Sequence, residues 1–350
     1  MPRRIKSSRL TFDVSRLTFD VSRFTHQRRY CMEFQTFDFA DSTHLAAATA
    51  IWNVACGPGL AITERAMRYN TRPVAGGVLA GRLALQDGAP VGFVLASALP
   101  SEPSVSSPEV GWVDAIAVHP ERQRQGIGTA LLAWAEEWLA AQGCQQWRLG
   151  GGMRPFAAGL PVELDSAEFF RRHGYSSRAG RDRAWDVAHD LTRYITPDTA
   201  RKAAEIQARP VAAGEETAVM AFLRREFPGR WRFEFEVHMQ EGGRLSDYVA
   251  LWSPRGIDGC CVLTFEDSRR PLDRFFPHAL PRPWGQLGSI GVSADSRGKG
   301  YGAALLDAGL RCLRDAGVAG CVIDWTGIVD FYGRFGFTKH REYAMWGKER

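Results

Sequence analysis

"SRGKGYGAALL" occupies Ser296–Leu306. An apolar run, Leu287–Val292, precedes it, and leucines at 305, 306, 310 and 313 follow at helical spacing. The chain therefore leaves a strand, turns on glycines 298, 300 and 302, and enters a helix near Gly300. The unpaired amides of a first helical turn and the positive end of its dipole suit an anion. Glycines there let a large group such as a pyrophosphate approach the backbone with no Cβ in the way. Arg297 and Lys299 add charge-assisted contacts to phosphate. The P-loop pattern GxxxxGK[ST] fails, because Ser293 stands at its first glycine and Gly300 follows Lys299. The dinucleotide fingerprint fails too, since five residues separate Val292 from Gly298. What fits is [QR]xxGx[GA].

The same hexapeptide occurs earlier, in "QRQGIGTALL" at Gln123–Leu132. Gly126, Gly128 and Leu132 precede Gly300, Gly302 and Leu306 by a constant 174 residues. Downstream, Phe170 and Gly174 precede Tyr332 and Gly336 by a constant 162. Two constant offsets mean two aligned blocks and two copies of one fold. The first copy carries twelve more residues, within the Gly/Pro-rich loop Gly150–Leu164.

Periodicity places helices over Ser42–Cys56, capped by Asp41 or Ser42, and over Gly126–Gln142 and Ser166–His173. Strands are expected at 32–39, Pro90–Leu99, Val110–Val118, Gln145–Leu149 and, closing the first copy, Arg183–Ala188. The order then restarts: strand 205–211, helices Glu215–Phe227 and Trp231–Gln240, and strands Tyr248–Trp252, Gly259–Phe265 and Leu287–Val292. Helix Gly300–Ala316, strand Cys321–Trp325, helix Ile328–Phe335 and a last strand Glu342–Trp346 complete it. The expected division is a domain at 32–193, a linker at 194–203 and a second domain at 204–350.

Of 350 residues, 45% are hydrophobic and 24% charged, enough to bury two cores. The net charge of +5 misleads, because residues 1–31 hold eight of the 44 bases and only two of the 39 acids. The remainder is nearly neutral, which argues against a nucleic-acid partner. That opening segment repeats "SRLTFDV" and reads as a disordered extension with Met32 a natural start, or else as an Arg-rich targeting segment. No apolar run reaches the ~18 residues of a membrane span. Seven cysteines without CxxC spacing argue for a reducing, cytoplasmic setting with no metal.

Two hexapeptides in register, each with a downstream aromatic block ("FFRRHGY", Phe169–Tyr175; "FYGRFGF", Phe331–Phe337), make the chain resemble the GNAT superfamily of acyl-CoA-dependent N-acetyltransferases over both halves. The resemblance implies an α/β fold of two tandem GNAT-type domains, each a mixed, largely antiparallel sheet flanked by helices and splayed between its fourth and fifth strands. It implies acetyl-CoA as acyl donor. Its pyrophosphate would lie on Arg297, Gly298, Lys299, Gly300, Tyr301 and Gly302, and its pantetheine arm along Ile290, Gly291 and Val292. The matching residues of the first copy are Gln123, Arg124, Gln125, Gly126, Ile127 and Gly128, with Ile116 and Val118 on the strand.

Tyr332 matches the family's general acid, which protonates the departing thiolate. Phe170 stands there in the first copy and has no proton to give, so the second half is expected to be catalytic. Family members often carry a glutamate base on the fourth strand, where this chain has Gln286 and Gly288. Asp324 is the first choice as base, and a water chain is the alternative. Trp284, Trp325 and Glu266 are expected to contact the acceptor, and His278 to be a surface or acceptor-contact residue rather than a base. The expected activity is transfer of acetyl to a small-molecule amine by a monomer or homodimer. The rival reading is a non-catalytic acyl-CoA-binding sensor or interaction module.

Overall fold

A left-handed two-residue turn, Asp87-Gly88 (φ +53° and +80°), joins two strands that the opening of the fold depends on. The computed structural model describes residues 31–201 and 206–350, and the repeated segment ahead of Cys31 lies outside the described residues. β1 (Met32–Thr36) leads into α1 (Ser42–Cys56), whose first turn is closed by the Asp41 carboxylate accepting from the Thr43 amide. α2 (Glu64–Asn70) follows, then the hairpin of β2 (Val78–Gln86) and β3 (Ala89–Ala98) and the long β4 (Val110–Val118). Asp-Gly between apolar runs favours the type I′ geometry that matches strand twist. α3 (Ile127–Ala141) then returns to β5 (Gln146–Leu149), which is parallel to β4.

Short elements follow: β6 (Leu160–Pro161), α4 (Ala167–Arg172), β7 (Ser176–Ser177), β8 (Arg183–Asp190) and α5 (Asp198–Arg201). The second copy holds β9 (Gln207–Pro210), α6 (Glu216–Glu226), α7 (Arg230–Gln240), β10 (Tyr248–Ser253), β11 (Gly256–Phe265) and β12 (Trp284–Val292). It ends with α8 (Tyr301–Asp315), β13 (Gly320–Thr326), α9 (Val329–Gly333), β14 (Thr338–Ala344) and β15 (Trp346–Glu349).

The sheets do not follow the sequence halves. One runs β1-β2-β3-β4-β5-β15-β7 and the other β6-β14-β8-β13-β12-β11-β10-β9. β8, expected to close the first copy, lies between β13 and β14 of the second, pairing Val187 with Ile323 and with Lys339. β15, at the end of the chain, lies between β5 and β7 of the first, pairing Gly347 with Arg148. The segment expected as one last strand, Glu342–Trp346, is thus divided. Met345 sits between two strands that serve different sheets, its amide donating to the Asp182 carbonyl. Each fifth strand offers an open edge of unpaired donors and acceptors, and the other half's closing strand covers it.

Within each half a long helix covers the sheet. α3 buries Leu131, Leu132, Ala135 and Leu139, and α8 buries Leu305, Leu306, Leu310 and Leu313. The halves also share apolar cores. Phe276 joins Trp52, Leu60 and Phe156 of the first half, and Phe233 of α7 packs against Trp112. The loop Gly150–Leu164 binds the halves further: β6 pairs with β14, and Arg154 forms an ion pair with Glu241 of the second half.

Candidate functional site

The two glycine turns have the same backbone. Gly126 and Gly300, the N-caps of α3 and α8, lie at φ +82° and +85°. Two residues earlier, Gly298 has φ +77°, and in the first copy Arg124 is held at φ +61° in its place. No side chain caps either helix, so the amides at both starts are left for something other than protein. A Cβ at Gly298 or Gly126 would meet nothing within 4 Å, and one at Gly302 only Phe331 at 4.0 Å. At Gly128 the Phe169 ring is closer, at 3.4 Å. Arg297, Gly298, Lys299 and Gly300 are exposed, with Tyr301 half-buried behind them. This open cradle fits a pyrophosphate.

Beside each turn the sheet opens. β12 pairs with β13 only over Trp284–Gln286, then runs on to Val292 with β11 alone for a neighbour. Ile290, Gly291 and Val292 therefore present a free, half-buried edge. Within it Ser289 takes φ +47° where the register with β11 shifts, a bulge that re-aims the strand. The first half repeats this opening: β4 pairs with β5 over Val110–Val113, leaving Ile116 and Val118 beyond the ladder.

At the fork of the second half the structure brings Tyr332 and Asp324 together. Tyr332, on α9, is buried, and burial with the Asp324 charge holds its phenol well above the usual range. The Asp324 carboxylate accepts from the Gln286 amide at 2.7 Å, and Gln286 in turn accepts from the Thr264 hydroxyl at 2.7 Å. Behind Asp324 lies Asp186 of the exchanged strand β8. It accepts from the Trp325 amide (2.8 Å) and the Tyr343 hydroxyl (2.7 Å). Burial, with the Asp324 charge adding, pushes the Asp186 carboxyl up to about 7. In the first half Phe170 is buried at the place of Tyr332, and Asp114 stands where the second has Gly288. Burial pushes Asp114 up to about 7 as well.

Trp325 lies at the fork with φ +53°, its ring under the Arg230 guanidinium at 4.8 Å. Trp284 and Glu266 are placed elsewhere. Glu266 is exposed, pairs with Arg282 (3.0 Å) and accepts from the Trp284 amide (3.1 Å), while the Trp284 indole donates to the Leu280 carbonyl. Trp284 starts β12 at its zipped end, five residues or ~16 Å of strand from Ser289. His278 is exposed, bonded to the Ala61 carbonyl.

A pocket open to solvent lies between the halves, with Thr264, Glu234, Arg154, Arg270 and Arg274 among its walls. Glu234 of α7 also meets Ser289 of the bulge at 3.4 Å, which connects pocket and fork. Burial alone would raise the Glu234 carboxyl, but the charges of Arg230, Arg270 and Arg274 outweigh it and keep it below the usual range. None of these pocket residues was indicated by motif or spacing. Glu234 falls in a charged helix, RWRFEFEVHMQ, and the two arginines in a loop. The faint signal was Glu234 between two aromatics that are themselves buried, Phe233 and Phe235.

The family model described as "Acetyltransferase (GNAT) family" matches residues 52–175 and 217–337. A protein named mycothiol acetyltransferase from Geodermatophilus obscurus is 28% identical over 246 residues, 67% of this chain and 73% of that protein. Among solved structures, the glucosamine N-acetyltransferase region of a fungal multi-domain β-N-acetylglucosaminidase superposes with a TM-score of 0.80 at 23% identity. That match covers 91% of this chain, which spans only 38% of the fungal one. A tandem GNAT protein from the clavulanic acid biosynthesis pathway gives a TM-score of 0.65 at 16% identity, covering 91% of this chain and 98% of that one. At these identities the structural likeness shows the fold, two tandem GNAT-type domains. No helix among the described residues is long and apolar enough to cross a membrane, and no acidic, His or Cys group among them is arranged to hold a metal.

Proposed function

The chain belongs to the GNAT acetyltransferase family, and from that premise we propose that its second half transfers acetyl from acetyl-CoA to a primary amine of a small molecule. The observation that carries this is the meeting of three features at one fork: an uncapped glycine turn, a free strand edge, and a buried phenol beside a carboxylate. The turn Arg297–Gly302 receives the pyrophosphate, and Ile290–Val292 receives the pantetheine arm along its unpaired edge. The acceptor arrives as an ammonium and gives a proton to Asp324, directly or through water. The freed nitrogen lone pair adds to the thioester carbonyl carbon. On collapse the C–S bond breaks, and the leaving sulfur takes the Tyr332 proton. A phenol held above its usual range is fully protonated at neutral pH, so Tyr332 enters the step with a proton to give. Tyr332 then recovers a proton from solvent or from the carboxylic acid formed at Asp324.

The first half serves as scaffold. It retains the turn but has Phe170 where the proton donor would be, and its long loop supplies one wall of the pocket. The test is release of free CoA thiol from acetyl-CoA across a panel of small amines, with the acetylated amine identified by mass. Acetyl-CoA binding without acetylated product from any amine would favour the sensor reading instead.

A further inference from the structure

Two arginines in the wall of the pocket between the halves have no ion-pair partner among the described residues. Arg270 and Arg274 follow β11 in one loop, and both guanidinium groups stack on Phe275, at 4.9 Å and 4.6 Å from its ring. Arg274 is only 7% exposed. The Nε of each is buried without a hydrogen-bond partner, and among the described residues neither guanidinium makes an ion pair within 4 Å. Their neighbours do not relieve them. Glu234 and Asp324 act on Arg274 only at a distance, and Arg270 repels it, while burial itself pushes the Arg274 guanidinium down to about 9. Glu234 is already bonded to Arg230 (2.7 Å), and Glu241, across the pocket, to Arg154. A buried cation left unpaired beside a second, half-buried one is costly to a fold unless something else completes them. Arginine's planar fork matches the oxygens of a carboxylate or a phosphate.

We propose that this pocket is the acceptor site and that the acceptor carries, besides its amine, an anionic group, carboxylate or phosphate, held between Arg270 and Arg274. The proposal rests on the acetyltransferase reading above and adds the chemical class of the acceptor. The pocket reaches the chemistry by two routes. Glu234 touches Ser289 in the bulge, and Thr264, another wall residue, begins the hydrogen-bonded line through Gln286 to Asp324. The donor's phosphates have their own cations, Arg297 and Lys299, beyond the far end of β12. The arginine pair therefore faces the other substrate.

Two measurements on the full chain test this, both with saturating acetyl-CoA so that the glycine turns are filled. In the first, thermal unfolding is followed against inorganic phosphate and, separately, malonate. One or both should raise the melting temperature saturably, phosphate indicating a phosphorylated acceptor and malonate a carboxylate. The rise should be lost in Arg274→Met and reduced in Arg270→Gln. In the second, kcat/KM is compared for glucosamine 6-phosphate against glucosamine, and for alanine against alaninamide. The anionic member of one pair should be preferred. That preference should fall about tenfold to a hundredfold in either variant, the usual worth of a hydrogen bond to a charged group. Should Arg274→Met not fold, Arg270→Gln, at a half-buried position, carries both measurements. Absence of saturable stabilisation in the parent, or a preference unchanged in the variants, overturns the proposal. Stabilisation through the arginines with no acetylation of any amine leaves the anion site standing and removes the acetyltransferase reading instead.

Discussion

Tyr332 and Phe170 sit at matching places in two copies of one fold and differ by a single oxygen. That oxygen is what Tyr332→Phe removes. The ring packing against Phe331 and Phe337 stays, so melting temperature and acetyl-CoA affinity should hold, while turnover falls about 10²–10⁴-fold. Steady-state rates within about threefold of the parent would return Tyr332 to the core it also belongs to. Asp114 allows a test by pH. Its folded carboxyl is raised to about 7 by burial, so the folded state holds a proton that the unfolded chain releases near the ordinary carboxyl value of about 4. The stability tied to that proton is complete below about pH 4 and is lost as pH rises through about 7. Asp114→Asn cannot lose a proton. Its stability relative to the parent, followed by melting temperature, should therefore climb between pH 5 and pH 8, towards a ceiling of about 4 kcal/mol. A difference that stays flat across that range would show that Asp114 is ionised in the folded chain throughout.

At the scale of elements, the turn into α8 was readable because glycine and charge patterns report backbone requirements directly. The match of Arg124 to Gly298 shows how strongly the turn is imposed: a non-glycine residue is held at φ +61° to preserve it. Gly302→Val is the cleanest probe of the cradle. Its backbone is helical, valine is no worse than glycine in a helix, and the nearest side chain is 4.0 Å away. The variant should fold with an unchanged melting temperature and lose acetyl-CoA binding, read by calorimetry, by at least about tenfold, the worth of one lost contact to a charged group. Retained affinity would move the pyrophosphate off this turn. β2 illustrates the reverse case. VLAGRLALQ is rich in the helix formers Leu and Ala, holds a single β-branched residue and shows little alternation, so only the Asp-Gly that follows it marks the hairpin.

Across the whole molecule, the exchange of β8 and β15 makes the halves depend on each other. Chains ending at 193 and beginning at 204 would each lack the strand that covers an inner edge, and Phe276 and Phe233 would lose their partners in the first half. Burial of such a side chain contributes about 2–3 kcal/mol. Neither fragment alone should unfold cooperatively, and co-expression should restore one transition and a 1:1 complex by light scattering. Two independently stable fragments would contradict the exchange as a source of stability.

The sequence by itself determined what local pattern and repetition encode: two copies of one α/β unit, the glycine turns, the helices that cover the sheets, and the alignment of Tyr332 with Phe170. Each of these depends on residues near one another in the chain, or on a constant offset between copies. Tertiary structure alone decided which edge each closing strand takes. A strand's alternation names its buried face but not its neighbour, and β8 and β15 would read the same in either sheet. The pocket is likewise tertiary. Glu234, Arg154, Arg270 and Arg274 come from a helix and two loops, and an unpaired buried charge shows itself only once every possible partner has been placed.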